Sequence, residues 1–560
     1  MPTPYDPGRR TFLSAAGLVL AAPALATPAL AASAPATPAP APARTRRGGS
    51  APGNPFTLGV ASGDPAEDGV VLWTRLAPDP LNDDPERPGG MPSEPRPVEW
   101  QVAEDSGFAR IVRSGTATAT PELAHSVHVE VGGLRPGREY FYRFRAMGEL
   151  SPAGRTRTAP AGDPSRLDLA VVSCQQFEHG YYTVYRHLAD DPPQAIVHLG
   201  DYIYEAGGEP RARRHTTPDP VDLAGYRLRH AQYRTDPDLQ AAHAAAPWIV
   251  TWDDHEVVNN YSGDEARGMT REEFAERRAG AYKAYYEHMP LRASAAPSGT
   301  GMRLYRRLAF GRLADLFVLD TRQYRIANPP DADLTPEPEA NDRLAGDRLD
   351  PRRSMLGDEQ ERWLLDGLSG GSGRWRLVAQ QVVLAQRNLA APGRPEKFRL
   401  DTWDGFPVAR ARLLRAIAER NVPNLVVLTG DAHTAIAADL KADFGDPASG
   451  TLGSELVATS VTSRGDGGDL RRDGDAVLAA NPHIRFWNDL RGHTRCTITP
   501  DALRAEFRVV PYVHEPGAPE HVRAVFRVTA GRPGLEKLSD TPLPDVPSVD
   551  PATTSDGIEG

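Results

Sequence analysis

From Leu167 onward, apolar runs recur and each one stops at polar residues: DLAVVSC, AIVHLGD, PWIVTWDD, LADLFVLDTR, WRLVAQQVVLA and NLVVLTGD. Short apolar runs of this kind predict buried strands. Amphipathic stretches between several of them, such as REEFAERRAGAYKAYYEHM and DEQERWLLDGL, predict helices. Strands alternating with helices imply an α/β domain. LRAEFRVVPYV and HVRAVFRVTAG look like its closing strands. Upstream, VVLWTRL, VEWQVAED, HSVHVEVGGL and REYFYRFRAMG are short strand patterns with turn signals between them. They predict a small β-sandwich over residues 54–160. The Pro/Gly-rich ELSPAGRTRTAPAGDPS closes it. No internal repeat is visible.

The chain has 560 residues, 40% hydrophobic and 25% charged, enough for a large core and more than one domain. Its net charge is -10 and it carries no long Lys/Arg run, so no nucleic-acid-binding signature is present. Arg9-Arg10-Thr11-Phe12-Leu13 precedes a weakly apolar, Ala-rich stretch with a small-residue cleavage site at Ala29-Leu30-Ala31. This is a twin-arginine signal pattern over residues 1–31. The apolar part is too short for a spanning helix, so no stable membrane anchor is expected. Export by the twin-arginine translocation machinery, which carries folded proteins, would deliver a secreted, extracellular or periplasmic product. Residues 32–53 read as an Ala/Pro-rich linker. Residues 538–560 read as a mobile tail.

The apolar runs end in chemistry. DLAVVSC ends at Cys174. AIVHLGD ends at Asp201, with Tyr204 three residues on. PWIVTWDDHEVVNN delivers Asp253, Asp254, His255, Glu256, Asn259 and Asn260, and NLVVLTGDAH delivers Asp431 and His433. Ligands of open α/β sheets bind outside the carboxyl ends of the strands. Taken singly, each of these is an ordinary turn, cap or hydrogen-bonded histidine. Together, in register with four strand ends, they would repel unless cations neutralise them. A thiolate, a phenolate and an imidazole suit a Lewis-acidic transition metal, iron(III) above all. Carboxylates and an Asn oxygen suit a hard cation such as Ca²⁺. Asp201 is placed to bridge the two kinds, and Tyr204 to bind the softer one.

SCQQFEHGYY, HLGDYIYE, TWDDHEVVNN, LDTRQYR and LTGDAHTA resemble the signature blocks of the PhoD-like alkaline phosphatases and phosphodiesterases, and FTLGVASGDPAEDGVVLWTRL resembles the opening of their N-terminal β-domain. The resemblance runs from about residue 54 to 537. It implies a four-layer αββα catalytic domain of the metallophosphoesterase type over residues 165–537, preceded by the β-sandwich, with Fe³⁺ and one or two Ca²⁺ ions. Carried over residue by residue, Cys174, Tyr204 and His433 bind iron, Asp201 bridges, and Asp254, Asn260 and Asp431 bind calcium. The choice between Asp253 and Asp254, and between Asn259 and Asn260, stays open. Arg277 or Arg278 could reach the phosphate, against a solvated helix face as the alternative. His255 would protonate or orient the leaving group. Relative to the related purple acid phosphatases, Cys174 replaces a carboxylate, and Asp254 and Asp431 replace neutral ligands, which favours calcium over zinc at the second position.

The implied activity is hydrolysis of phosphate mono- and diesters by a metal-activated water, serving phosphate scavenging. Two alternatives are a phospholipase D-like phosphodiesterase and a calcium-dependent adhesion module. The intact Cys, Tyr and His blocks argue against the adhesion module. Cys496 is expected as a buried strand residue rather than a disulfide partner of Cys174. Arg322 is expected in an ion pair with the acidic loop. Trp403-Asp404 is either a pocket rim or a covered turn, and residues 328–350 form a polar surface insertion.

Overall fold

Two sheets packed through an apolar slab set the framework. The computed structural model describes residues 53–208, 212–327, 348–390, 393–470 and 474–543. Residues 1–31, which read as a signal peptide, nearly all of the expected linker, most of the 328–350 insertion and the end of the expected tail lie outside them. Among the described residues the strands form sheets of ten, seven and five.

The ten-stranded sheet has Leu167–Val172, Ala195–His198 and Trp248–Val250 at its centre, all parallel. Arg491–Ile498, Ala502–Val510, His521–Thr529 and Arg532–Asp540 extend it antiparallel on one side. The last of these carries regular structure past residue 537. In the seven-stranded sheet, Ala314–Val318, Trp375–Gln380, Leu425–Thr429 and Thr451–Val457 run parallel.

One apolar cluster joins the two sheets. Leu169, Val171, Val197 and Ile249 from the first meet Leu316, Leu377, Val426 and Leu456 from the second, all essentially fully buried. Period-two alternation places Leu503, Ala505 and Phe507 of the closing strands in the same layer. Cys496 sits there too, a free buried thiol pushed up to about 12 by burial.

Helices cover the outer faces. Thr183–Asp190, Leu223–Arg234, Pro237–Ala245 and Arg271–His288 pack on the first sheet, and Gly357–Gly370 and Pro407–Glu419 on the second. The long helix Arg271–His288 starts at a capping box, in which Thr270 Oγ1 accepts the Glu273 amide and the Glu273 carboxylate accepts the Thr270 amide. Its Tyr282 ring stacks on Trp252, 4.1 Å between centroids, directly beneath the Asp253-Asp254-His255 loop.

Residues 54–160 supply strands to two sheets. Val60–Ala66, Gly69–Arg75 and Ser126–Val131 continue the ten-stranded sheet beyond Trp248–Val250. Arg96–Ala103, Ile111–Ala119, Glu139–Ala146, Glu149–Leu150 and Gly154–Arg157 form the five-stranded sheet packed against them. One layer of this segment is therefore held in common with the rest of the chain. No helix among the described residues is long and apolar enough to cross a membrane.

Leu316 is fully buried between the sheets. Leu316→Ala should lower stability by about 2–5 kcal/mol in chemical denaturation, with metal content of the folded protein unchanged.

Candidate metal centre

The parallel strands of both sheets end at one edge, where a bridge between Ser173 and Ser460 ties the first sheet to the second. Backbone bonds lock the loops together. The Cys174 amide donates to Gly200 O (3.1 Å), the Gln175 amide to Asp201 O (3.0 Å) and the Val461 amide to Cys174 O (3.1 Å). Five of the expected ligand residues are left-handed: Cys174 (φ +58°), Asp201 (+57°), Asn260 (+56°), Asp431 (+61°) and His433 (+54°). Each such residue costs on the order of 1–3 kcal/mol unless its surroundings over-determine it. Gly200 (φ +106°) has no alternative, because a Cβ there would land on the backbone nitrogen and Cβ of Asp253.

The side chains converge. The Tyr204 hydroxyl donates to Asp201 Oδ2 (2.8 Å) and lies 3.1 Å from His433 Nε2, and Ser463 Oγ donates to it at 2.8 Å. Cys174, Asp201 and His433 present ligand atoms within 4.8 Å of one another; so do Asp201, Asp254 and His255, and again Asp253, Asp254 and Asp431. All of these residues are buried. Among the described residues, Asp201 Oδ1, Asp253 Oδ2 and His433 Nδ1 have no hydrogen-bond partner. The unpaired carboxylate oxygens and the donor set of thiol, phenol, imidazole and carboxylates could hold a cation.

A buried guanidinium crosses the cluster. Arg322 pairs with Asp253 and with Asp401 (2.6 Å), and reaches Asp254 (3.3 Å) and Asp431 (3.5 Å). Arg322 is thus ion-paired, and its partners are acids of the strand-end loops and Asp401. Arg325 holds the other Asp401 oxygen at 2.5 Å. The Asn260 amide group faces Asp254 and Asp401. Turned with its nitrogen toward them it donates at 3.2 and 3.1 Å. Turned the other way, its oxygen faces two carboxylates, an arrangement that only a cation between them makes favourable. Arg277 and Arg278 are engaged elsewhere: Arg277 donates to the Tyr226 hydroxyl (2.7 Å), and Arg278 caps the Gly263 carbonyl. Trp403 and Asp404 form a buried turn, with Trp403 bonded to Gln380 and Asp404 paired to Arg410.

Along the sequence, residues 169–507 match the family model for PhoD-like phosphatases and residues 41–160 match the model for their N-terminal domain. The chain belongs to the PhoD-like phosphatase family. Alkaline phosphatase D of Bacillus subtilis (strain 168) is 49% identical over 498 residues, covering 87% of this chain and 83% of the relative. A solved structure described as that of PhoD superposes with a TM-score of 0.84 at 47% identity, covering 89% of this chain and 95% of that one. The protein is thus a phosphoric ester hydrolase, and membership in the PhoD-like family makes it metal-dependent.

The electrostatics of this phosphatase site show the same need for positive charge. Burial, then neighbouring acids, pushes Asp201 and Asp253 well above the usual carboxylate range, and burial raises Asp431 too. Asp254 is the exception: burial works against its charge, but Arg322 and His255 hold it down at about 2. Burial opposes a charge on His255, yet Glu205, Asp201 and Asp254 outweigh it and hold the imidazole well above its ordinary value. Cys174 and Tyr204 are raised, first by burial and then by Asp201.

Sequence reasoning missed four supporting residues. Glu256 accepts the amides of Tyr202 (2.7 Å), Asp253 (2.8 Å) and Asp201 (3.2 Å), fastening two ligand loops together. Its place in DDHE was visible, but its inward direction was not. Asp401 follows no strand end and gave no signal. Ser463 lies past Thr451–Val457, a strand whose end was not read. Glu205 closes the HLGDYIYE block and pairs with His255 Nδ1 at 2.7 Å.

Arg322→Met would leave Asp253 buried without its guanidinium and Asp401 with Arg325 alone. A loss of about 3–5 kcal/mol is expected in denaturant titration. Arg322→Lys, which cannot span both acids with a planar fork, should recover little of it.

Proposed function

We propose that the chain is an exported metal-dependent alkaline phosphatase/phosphodiesterase. Cys174, Tyr204 and His433 would hold Fe³⁺, Asp254, Asn260 and Asp431 would hold Ca²⁺, and Asp201 would serve both. The observation that carries this is the meeting of Tyr204 Oη with Asp201 Oδ2 at 2.8 Å and His433 Nε2 at 3.1 Å, beside the Cys174 thiol. A thiol and a phenol aimed at one point suit iron and serve no adhesion module, for which oxygen ligands suffice. The catalytic domain then spans residues 165–537 in a four-layer αββα arrangement, after an N-terminal β-domain over residues 54–160. Residues 1–31 direct export through the twin-arginine translocation machinery, so a folded and metal-loaded enzyme scavenges phosphate from mono- and diesters outside the cytoplasm.

Bound there, the cations supply Lewis-acid withdrawal of charge from the phosphoryl oxygens and activate a water nucleophile. The chain supplies the rest. Arg322 keeps the carboxylates in place from behind. His255, buried within 4.8 Å of the Asp201 and Asp254 carboxylates, passes a proton to the leaving group. Arg277 or Arg278 reaches the phosphate only by leaving the Tyr226 hydroxyl or the Gly263 carbonyl.

Elemental analysis of the natively exported protein should find iron near one per chain together with calcium, and a visible phenolate-to-iron charge-transfer band. Tyr204→Phe should abolish the band, and Cys174→Ser should lose iron and turnover together. Two zinc ions would leave a hydrolase with a different ligand assignment. A Cys174→Ser protein with full iron and full rate would sink the thiolate role. Relative rates on a monoester, a diester and a phospholipid then fix the substrate class.

A further inference from the structure

Glu205 is the one acid of the IVHLGDYIYE segment that no metal role explains. Its carboxylate is divided between two partners on the neighbouring loop. One oxygen lies 2.7 Å from His255 Nδ1, and the other accepts the Asn259 amide at 2.7 Å. Both Glu205 and His255 are only 3% exposed. The backbone behind them is fixed as well: the fully buried Arg229 donates to the carbonyls of Tyr204 (2.6 Å) and Glu205 (3.1 Å). The His255 ring lies against the Tyr204 ring, with centroids 4.1 Å apart and planes 30° from parallel. The imidazole is thus held by its face and by one nitrogen. With Nδ1 committed to Glu205, Nε2 is the nitrogen left for another partner, and His255 offers a ring nitrogen within 4.8 Å of carboxylate oxygens of Asp201 and Asp254. A buried carboxylate is costly to keep. One needed only to brace the Asn259 amide could be replaced by a neutral acceptor.

We propose that Glu205 is a positioning residue for ester hydrolysis, holding His255 so that Nε2 faces the leaving-group oxygen. This rests on the function proposed above. When the phosphorus–oxygen bond to the leaving group breaks, its electron pair stays on that oxygen, which takes the proton from Nε2. The oxygen of water forms the new bond to phosphorus and releases its proton to solvent, from which the imidazole regains its own. Glu205 exchanges no atom. It decides where the ring points, as the carboxylate partner of a histidine commonly does.

The dependence of rate on the leaving group separates this from a structural role. A 4-nitrophenyl ester needs little proton assistance, and an alkyl ester needs much. Glu205→Gln keeps the size of the side chain and an oxygen for the Asn259 amide. In this variant kcat/KM for alkyl esters should fall about 10²-fold, the usual scale of general acid catalysis. 4-Nitrophenyl esters should be nearly unaffected, and iron and calcium contents unchanged. Adding Glu205→Gln to a His255→Asn protein should have no further effect on alkyl esters. Equal losses on both ester types, loss of metal, or a further loss in the double variant would overturn the proposal. If Glu205→Gln does not fold, Glu205→Asp should show the same split at smaller size, and its absence there overturns the proposal equally. A wild-type protein that hydrolyses neither ester would instead overturn the function on which the proposal rests.

Discussion

Mutual repulsion of buried carboxylates is the constraint on which the rest of this molecule depends. Asp201, Asp253, Asp254, Asp401 and Asp431 gather at one edge, and the ligand atoms within each candidate metal group lie within 4.8 Å of one another. Two like charges ~4 Å apart repel by about 4 kcal/mol at an effective dielectric constant of ~20. Several such pairs would consume most of the 5–15 kcal/mol by which a typical domain is stable. Arg322 and Arg325 relieve part of this and touch mainly Asp253 and Asp401. Among the described residues no guanidinium pairs with Asp201, the acid next to Cys174 and Tyr204; its nearby cationic partner is the His255 imidazole.

The fold supplies the edge on which this happens. The central parallel strands of the two sheets point their carboxyl ends the same way, and the apolar slab between the sheets keeps those ends opposite each other. Backbone bonds among the Cys174, Asp201 and Val461 loops then fix the ligand spacing. Stacking of Trp252 on Tyr282 supports the third loop from below. A site built from so many loops is held by rigid elements rather than by its own flexibility.

Much of this was legible from the chain because strands and ligands are coupled in sequence: an apolar run, a short polar break, then the chemistry. Cys174, Asp201, Tyr204, Asp254, Asp431 and His433 could all be read this way. What could not be read were residues whose role depends on tertiary direction. Asp401 precedes a buried turn in a segment without strand character. Glu256 sits among apparent ligands but turns its carboxylate to backbone amides. Arg277 and Arg278 lie on the expected helix, and their direction follows from how that helix packs against Tyr226 and Gly263. The N-terminal strands were visible as alternating patterns, but period-two alternation does not say which sheet a strand will join.

The left-handed residues carry a consequence for how the centre is loaded. Asp and Asn tolerate that conformation, but Cys174 and His433 do so at a cost that their surroundings meet during folding. Little backbone rearrangement is then left for the moment of coordination, and an incoming ion meets donors already in place. The strain would then be a form of preorganisation: it lowers the stability of the bare fold and would tighten the grip of the proposed ligands on an ion. Selection for a more stable fold without metal would therefore work against the centre itself.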